Sequence, residues 1–161
     1  MNHEERLKLI DRYEQGAHLF SEALRSVPEN LLDTPPAPGK WTIRQIALHT
    51  VDAELVFSIR FRMLGAQDGA PILMFDQDAW SRNLEYSKQP VDHAQALFVT
   101  LRHANAAMLR KLPEAAWEHA GMHEKRGRMT MGDLLLLFIK HAESHADSIR
   151  QAHDKLSAAA A

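Results

Sequence analysis

The chain has no cysteine among its 161 residues. That absence excludes a disulfide, a thiolate metal ligand and a cysteine nucleophile, so any thiol chemistry must come from a second molecule. Basic excess is also missing. The formal net charge is −2 with 25% of residues charged, which argues against nucleic acid or an anionic membrane as the main partner. The longest apolar run is the short LLLLFI of residues 134–139, too short to span a bilayer. The amino terminus, MNHEERLKLIDRYEQG, is charged and amphipathic instead of carrying an apolar signal region. The expectation is a cytoplasmic protein that acts on a small-molecule substrate. Neither a glycine-rich phosphate loop nor a serine in a nucleophile-elbow context occurs.

Ten histidines are what the chain has in quantity. Two of them, His141 and His145, stand one helical turn apart in MGDLLLLFIKHAESHADSIRQ. At about 100° per residue, Leu134, Leu137, Phe138, Ser148 and Ala152 fall within about 60° of His141, and His145 lies about 40° away. Both imidazoles therefore point into a core. Burying them is costly without partners, and a divalent metal ion is a partner that an i, i+4 pair is spaced to clasp. The alternative is a pair of hydrogen-bonded core histidines.

Four long helical patterns and no convincing strand organise the chain into one domain over residues 1–156, with 157–161 as a frayed tail. The first helix runs from about Asn2 to Val27. The second follows a capping box formed by Thr42 and Gln45 and stops at Gly65; the third follows Asp92 and Gln95 and ends before Pro113. Thr130 and Asp133 cap the fourth, which continues to about Leu156. Between helices two and three lie about 25 residues, well beyond the length of a tight connection. A crossover of this length lets those two helices run parallel, so the expected fold is an all-α, up-down-down-up four-helix bundle. The segment from Trp117 to Met129 is expected to be a long polar loop and, with the crossover, a lid.

Helix two supplies a third inward histidine. In WTIRQIALHTVDAELVFSIRFRML, His49 is flanked by Gln45, Ile46, Ala53, Val56 and Phe57, so its face is enclosed. Three histidines from two facing helices match the way metal sites are built in bundle cores, and with no fourth protein ligand they describe a site with an open position. Asp52 lies about 60° round the helix from His49, close enough to orient a ligand or act as a base, or else it is a solvated aspartate. Arg60 returns to within about 20° of the His49 face about 16 Å further along, placed to bind a substrate carboxylate or to form a rim salt bridge. Asp76, Asp78 and Trp80 in the crossover are candidates to cover the site and contact substrate, whereas Trp41 reads as a packing anchor. Glu143 points about 160° away from His141, so HAESH is not the zincin motif. Glu14 and His18 on helix one, and His123 in the late loop, are alternative ligands. Thr100 and Asn105 read as ordinary helix residues.

On WTIRQIALHTVDAE, SIRFRML followed by DAW, and the late MTMGDLLLLFIKHAESHADSIRQ, the chain resembles the DinB/YfiT-like superfamily of metal-dependent bundle proteins, closest to the YfiT-type branch. The resemblance covers nearly the whole chain. It implies an up-down-down-up bundle with one divalent ion, zinc or nickel, on His49, His141 and His145, and a homodimer. It also implies S-transfer from a low-molecular-weight thiol co-substrate to a small electrophile. The competing expectations are hydrolysis of a small amide, ester or halide by metal-activated water, and a non-catalytic metal-stabilised stress-response bundle.

Overall fold

A computed structural model describes residues 1–160. Five α-helices, α1 (His3–Arg25), α2 (Ile43–Ala66), α3 (Gln77–Asn83), α4 (Val91–Leu109) and α5 (Met131–Ala160), are joined by short 3₁₀ turns and one β-hairpin, β1 (Ala120–His123) and β2 (Gly127–Thr130). The bundle consists of α1, α2, α4 and α5. Among the described residues no helix is long and apolar enough to cross a membrane.

Helix starts follow the local chemistry. Asn2 and Glu5 close a capping box on α1, and Thr42 and Gln45 close one on α2, each satisfying backbone N–H groups that the first turn leaves free. Thr130 and Asp133 do the same for α5, with the Asp133 carboxylate accepting from the Thr130 N–H at 2.8 Å. The Asp92 and Gln95 signal does not start α4. That helix begins at Val91 behind Pro90, with no side-chain cap; Pro90 presets the backbone of the entering residue. At the other end α5 stays helical through Ala160, beyond the expected Leu156, and Ala161 lies outside the described residues.

Pairings across the bundle fix the topology. Along α2 and α4, Arg44 meets Gln89, Glu54 meets Arg102 and Arg62 meets Asn105, so these helices run parallel. Arg12 with Glu143, then Leu19 with Arg150, set α1 and α5 parallel too. His49 beside His145 and Phe57 beside Phe138 make α2 and α5 antiparallel. Phe20 on Phe98 and Asp11 on Arg110 do the same for α1 and α4. The fold is the up-down-down-up bundle with a long crossover between α2 and α4.

Two departures from the expected lid region matter for the site. The Trp117–Met129 segment is not a plain loop: it contains the hairpin, in register from Ala120 opposite Thr130 to His123 opposite Gly127. Strands of four residues carry too little alternation to be visible as a period-2 pattern. The hairpin is also stitched to the crossover. Gly69 N–H donates to Ala120 O at 3.0 Å, and Ile72 bridges His123 in parallel. A side chain at Gly121 would collide with the Ala70 carbonyl, so only glycine permits this approach.

The apolar core forms two clusters. One surrounds Ile10, Phe57, Phe61, Leu134 and Phe138; the other surrounds Phe20, Ala47, Val51, Phe98 and Ala146. Between them lies a buried polar layer of Tyr13, Glu54, Ser58, Arg102 and Asn105. The three inward histidines sit at the level of this layer on the α2–α5 side.

Candidate metal centre

His49 projects from the middle of α2, and His141 and His145 project from α5 onto the same spot. One ring nitrogen from each of the three lies within 4.8 Å of the other two. The His141 and His145 Nε2 atoms are 3.2 Å apart, and the His49 ring centroid is 5.3 Å from His141 and 5.0 Å from His145. Aromatic rings wall the cluster: the edge of Trp41 meets His49 at 5.1 Å, Phe75 stacks on His49 at 6.1 Å, and Phe138 stacks on His141 at 5.0 Å.

Burial and mutual repulsion keep these imidazoles neutral. Desolvation, then the charge of a protonated His145, hold His49 down to about 4. His141 is lowered further, first by desolvation and then by His145, His49 and Arg102, and His145 is lowered by desolvation. A neutral imidazole is the form that donates a lone pair to a metal. His49 Nδ1 and His141 Nδ1 are buried with no hydrogen-bond partner, a costly arrangement for polar atoms. Three neutral imidazoles, each with a nitrogen converging on the same spot, fit a divalent metal ion.

Two chambers open on this cluster from opposite sides. The larger, about 1110 Å³, takes in His49 and His141, the apolar surfaces of Ala53, Phe57, Leu137 and Phe138, and Arg60 and His123. The smaller, about 580 Å³, takes in His49 and His145 with Trp41, Lys40, Ser148 and Gln151. His49, Gln77 and Asp78 line both. The start of α3, with His49, therefore borders both chambers.

The structure sorts the other sequence candidates. Asp52 lines neither chamber; its carboxylate accepts a hydrogen bond from the Tyr86 hydroxyl on the 3₁₀ turn before α4. Burial raises the Asp52 carboxyl and the Tyr86 bond opposes that shift. This hydrogen bond makes Asp52 a tether for the crossover. Trp80 is half-buried and packs on Phe75 at 4.8 Å, and Phe75 in turn stacks on His49. Trp41 is a wall of the site as well as a packing anchor. Arg60 is 5% exposed and lines the larger chamber. Among the described residues it makes no rim salt bridge; its guanidinium donates to the Leu73 carbonyl and covers the Phe57 ring at 4.5 Å.

Glu14 is engaged by Arg110 and His103, and His18 is exposed beside Glu22, so helix one supplies no ligand to the cluster. Glu143 pairs with Arg12, as its angle demanded. Asn105 is far from ordinary: wholly buried, its amide donates to Glu54, Ser58 and the Tyr13 hydroxyl. Its burial comes from helix pairing, which a single-helix pattern does not show.

Comparison with known proteins agrees with this architecture. The sequence model of the DinB superfamily matches residues 12–149. A Bacillus licheniformis protein named "Putative metal-dependent hydrolase" is 30% identical over 149 residues, covering 92% of this chain and 84% of its own length. The solved structure of YfiT from Bacillus subtilis, described as "a probable metal-dependent hydrolase with an unusual four-helix bundle topology", superposes with a TM-score of 0.90 at 24% identity, over 98% of this chain and 90% of that one. A mycothiol-dependent maleylpyruvate isomerase shares the fold at a TM-score of 0.73 and 17% identity, over 92% of this chain and 61% of that one.

Proposed function

The chain belongs to the DinB superfamily, and from that premise we propose that it is a metal-dependent enzyme whose ion is held by His49, His141 and His145 and whose reaction is transfer of a small thiol to a small electrophile. The observation that carries this reading is the pair of chambers meeting at one set of histidines. A reaction between two organic substrates needs two places that share a centre. The bound ion would supply Lewis acidity that favours the thiolate near neutral pH.

The chain's own residues do the rest. Neutral imidazoles provide the donors, and Trp41, Phe75 and Phe138 pack apolar rings against them. Gln77 and Asp78 border both chambers, and the two substrates would approach the histidines from the two chambers. In the transfer the sulfur forms a bond to an electrophilic carbon, the thiol proton goes to solvent, and the leaving group departs with its electron pair.

Hydrolysis of a small amide, ester or halide is the second reading. It is favoured by the name of the Bacillus licheniformis relative and needs only the larger chamber. Cobalt-substituted protein titrated with small thiols separates the two. Transfer requires a sulfur-to-metal charge-transfer band and release of protons on binding; an unperturbed spectrum together with consumption of hydrolytic substrates assigns the reaction to water.

A further inference from the structure

The larger chamber has two chemically different ends. One is the histidine cluster. At the other is Arg60, a cation with only 5% of its surface exposed and, among the described residues, with no carboxylate partner. A buried guanidinium is costly unless its donors and its charge are answered. Arg60 is answered only in part: one terminal nitrogen donates to the Leu73 carbonyl, and the face lies over Phe57 at 4.5 Å. Its Nε is buried with no partner at all. Desolvation lowers the guanidinium to about 10, which still leaves it charged at neutral pH.

The surroundings say what would complete it. Beside Arg60, His123 is buried and its Nδ1 accepts from the Lys125 and Arg126 backbone N–H groups at 3.1 and 3.2 Å. The neutral ring therefore carries its proton on Nε2, a second donor at this end. Burial first, then Arg60 and Arg126, lower His123, so it adds a hydrogen bond and no charge. The exposed rim carries both signs, Lys125 and Arg126 with Asp76, Asp78 and Glu124. Within the chamber the single buried charge is Arg60. Between Arg60 and the cluster runs a column of stacked groups, the guanidinium on Phe57, Phe57 on Phe138 and Phe138 on His141, whose apolar edges are what Phe57 and Phe138 offer the chamber.

We propose that the Arg60 end of the larger chamber is a carboxylate subsite, taking a monocarboxylate whose apolar body lies along the edges of Phe57 and Phe138 and whose reactive end faces His141. One buried positive charge matches a monoanion, the unfilled Nε–H and the His123 donor match carboxylate oxygens, and the ring edges with Ala53 and Leu137 match an apolar body. The direction of the reactive end rests on the metal-centre reading above. The carboxylate subsite itself rests on Arg60.

Benzoate, benzamide and inorganic phosphate, titrated by calorimetry into metal-free protein, test the subsite without an ion that would compete for the carboxylate. Benzoate should bind about tenfold or more tightly than benzamide, the scale of a charge-assisted hydrogen bond. The difference should vanish in Arg60→Gln and survive in part in Arg60→Lys. A measurement on the unmodified protein guards against a variant that fails to fold: the Arg60 Nε–H nitrogen resonance should move with benzoate and stay put with benzamide. Absent benzoate binding, equal affinity for acid and amide, or an unmoved resonance at saturation would overturn the subsite, and tighter binding of phosphate would overturn its assignment to carboxylates. Failure of the metal centre would show separately, as missing zinc in protein that still distinguishes benzoate from benzamide.

Discussion

Arg102 and Glu54 form an ion pair at 2.9 Å in which neither side chain is exposed. The same guanidinium donates to the Tyr13 carbonyl at 2.6 Å and the Phe138 carbonyl at 3.0 Å, so one side chain on α4 reaches α1, α2 and α5. Gly16 makes room for it, since a Cβ there would lie 2.6 Å from the Arg102 terminal nitrogen. Phe138 precedes His141 by less than one turn. The clamp that joins the bundle thus also fixes the height of the metal centre.

Breaking this clamp on one side strands a buried charge. Glu54→Gln and Arg102→Met should each destabilise the protein by about 3–5 kcal/mol, measured as a lower urea midpoint. A loss below about 1 kcal/mol in both would mean the pair contributes little.

His145→Ala should abolish stoichiometric zinc or nickel binding while the metal-free fold persists, because His145 is only half-buried and Ala146 and Ile149 keep their places in the core. Metal analysis beside circular dichroism decides it. Full stoichiometry at unchanged affinity would remove His145 from the ligand set.

Asp52→Asn and Tyr86→Phe should behave alike, since each cuts the same tether between α2 and the crossover. Each should cost roughly 1–3 kcal/mol, and the double variant should cost little more than either single one. If Asp52→Asn instead suppresses turnover strongly while Tyr86→Phe leaves it intact, Asp52 handles protons.

Metal-free protein should lose stability as pH falls from about 6.5. The folded-state values of His49, His141 and His145 are depressed, so the unfolded chain takes up protons first. Stability from these groups is full above about 6.5, declines as pH drops, and levels off for His49 once it protonates near 4. His49 alone accounts for on the order of 3 kcal/mol. Between pH 6.5 and about 5 ordinary carboxylates remain ionised, so denaturant midpoints there report the histidines, and a flat profile would contradict their burial as neutral rings.

The sequence by itself determined the four long helices, the caps of α2 and α5, the parallel pairing implied by a long crossover, and the three converging histidines. Each of these is a local or periodic property: a capping box spans four residues, and inward histidines repeat with the apolar stripe of their own helix. What only the tertiary structure decided depends on residues distant along the chain. The partner of Asp52 comes from 34 positions away, the burial of Asn105 and Arg102 requires three other helices, and the hairpin gains definition from its bridge to Ile72. Whether Arg60 ends in a rim salt bridge or inside a chamber follows from where the Leu73 carbonyl settles. No periodicity encodes that, because the crossover backbone takes its path from packing on the finished bundle.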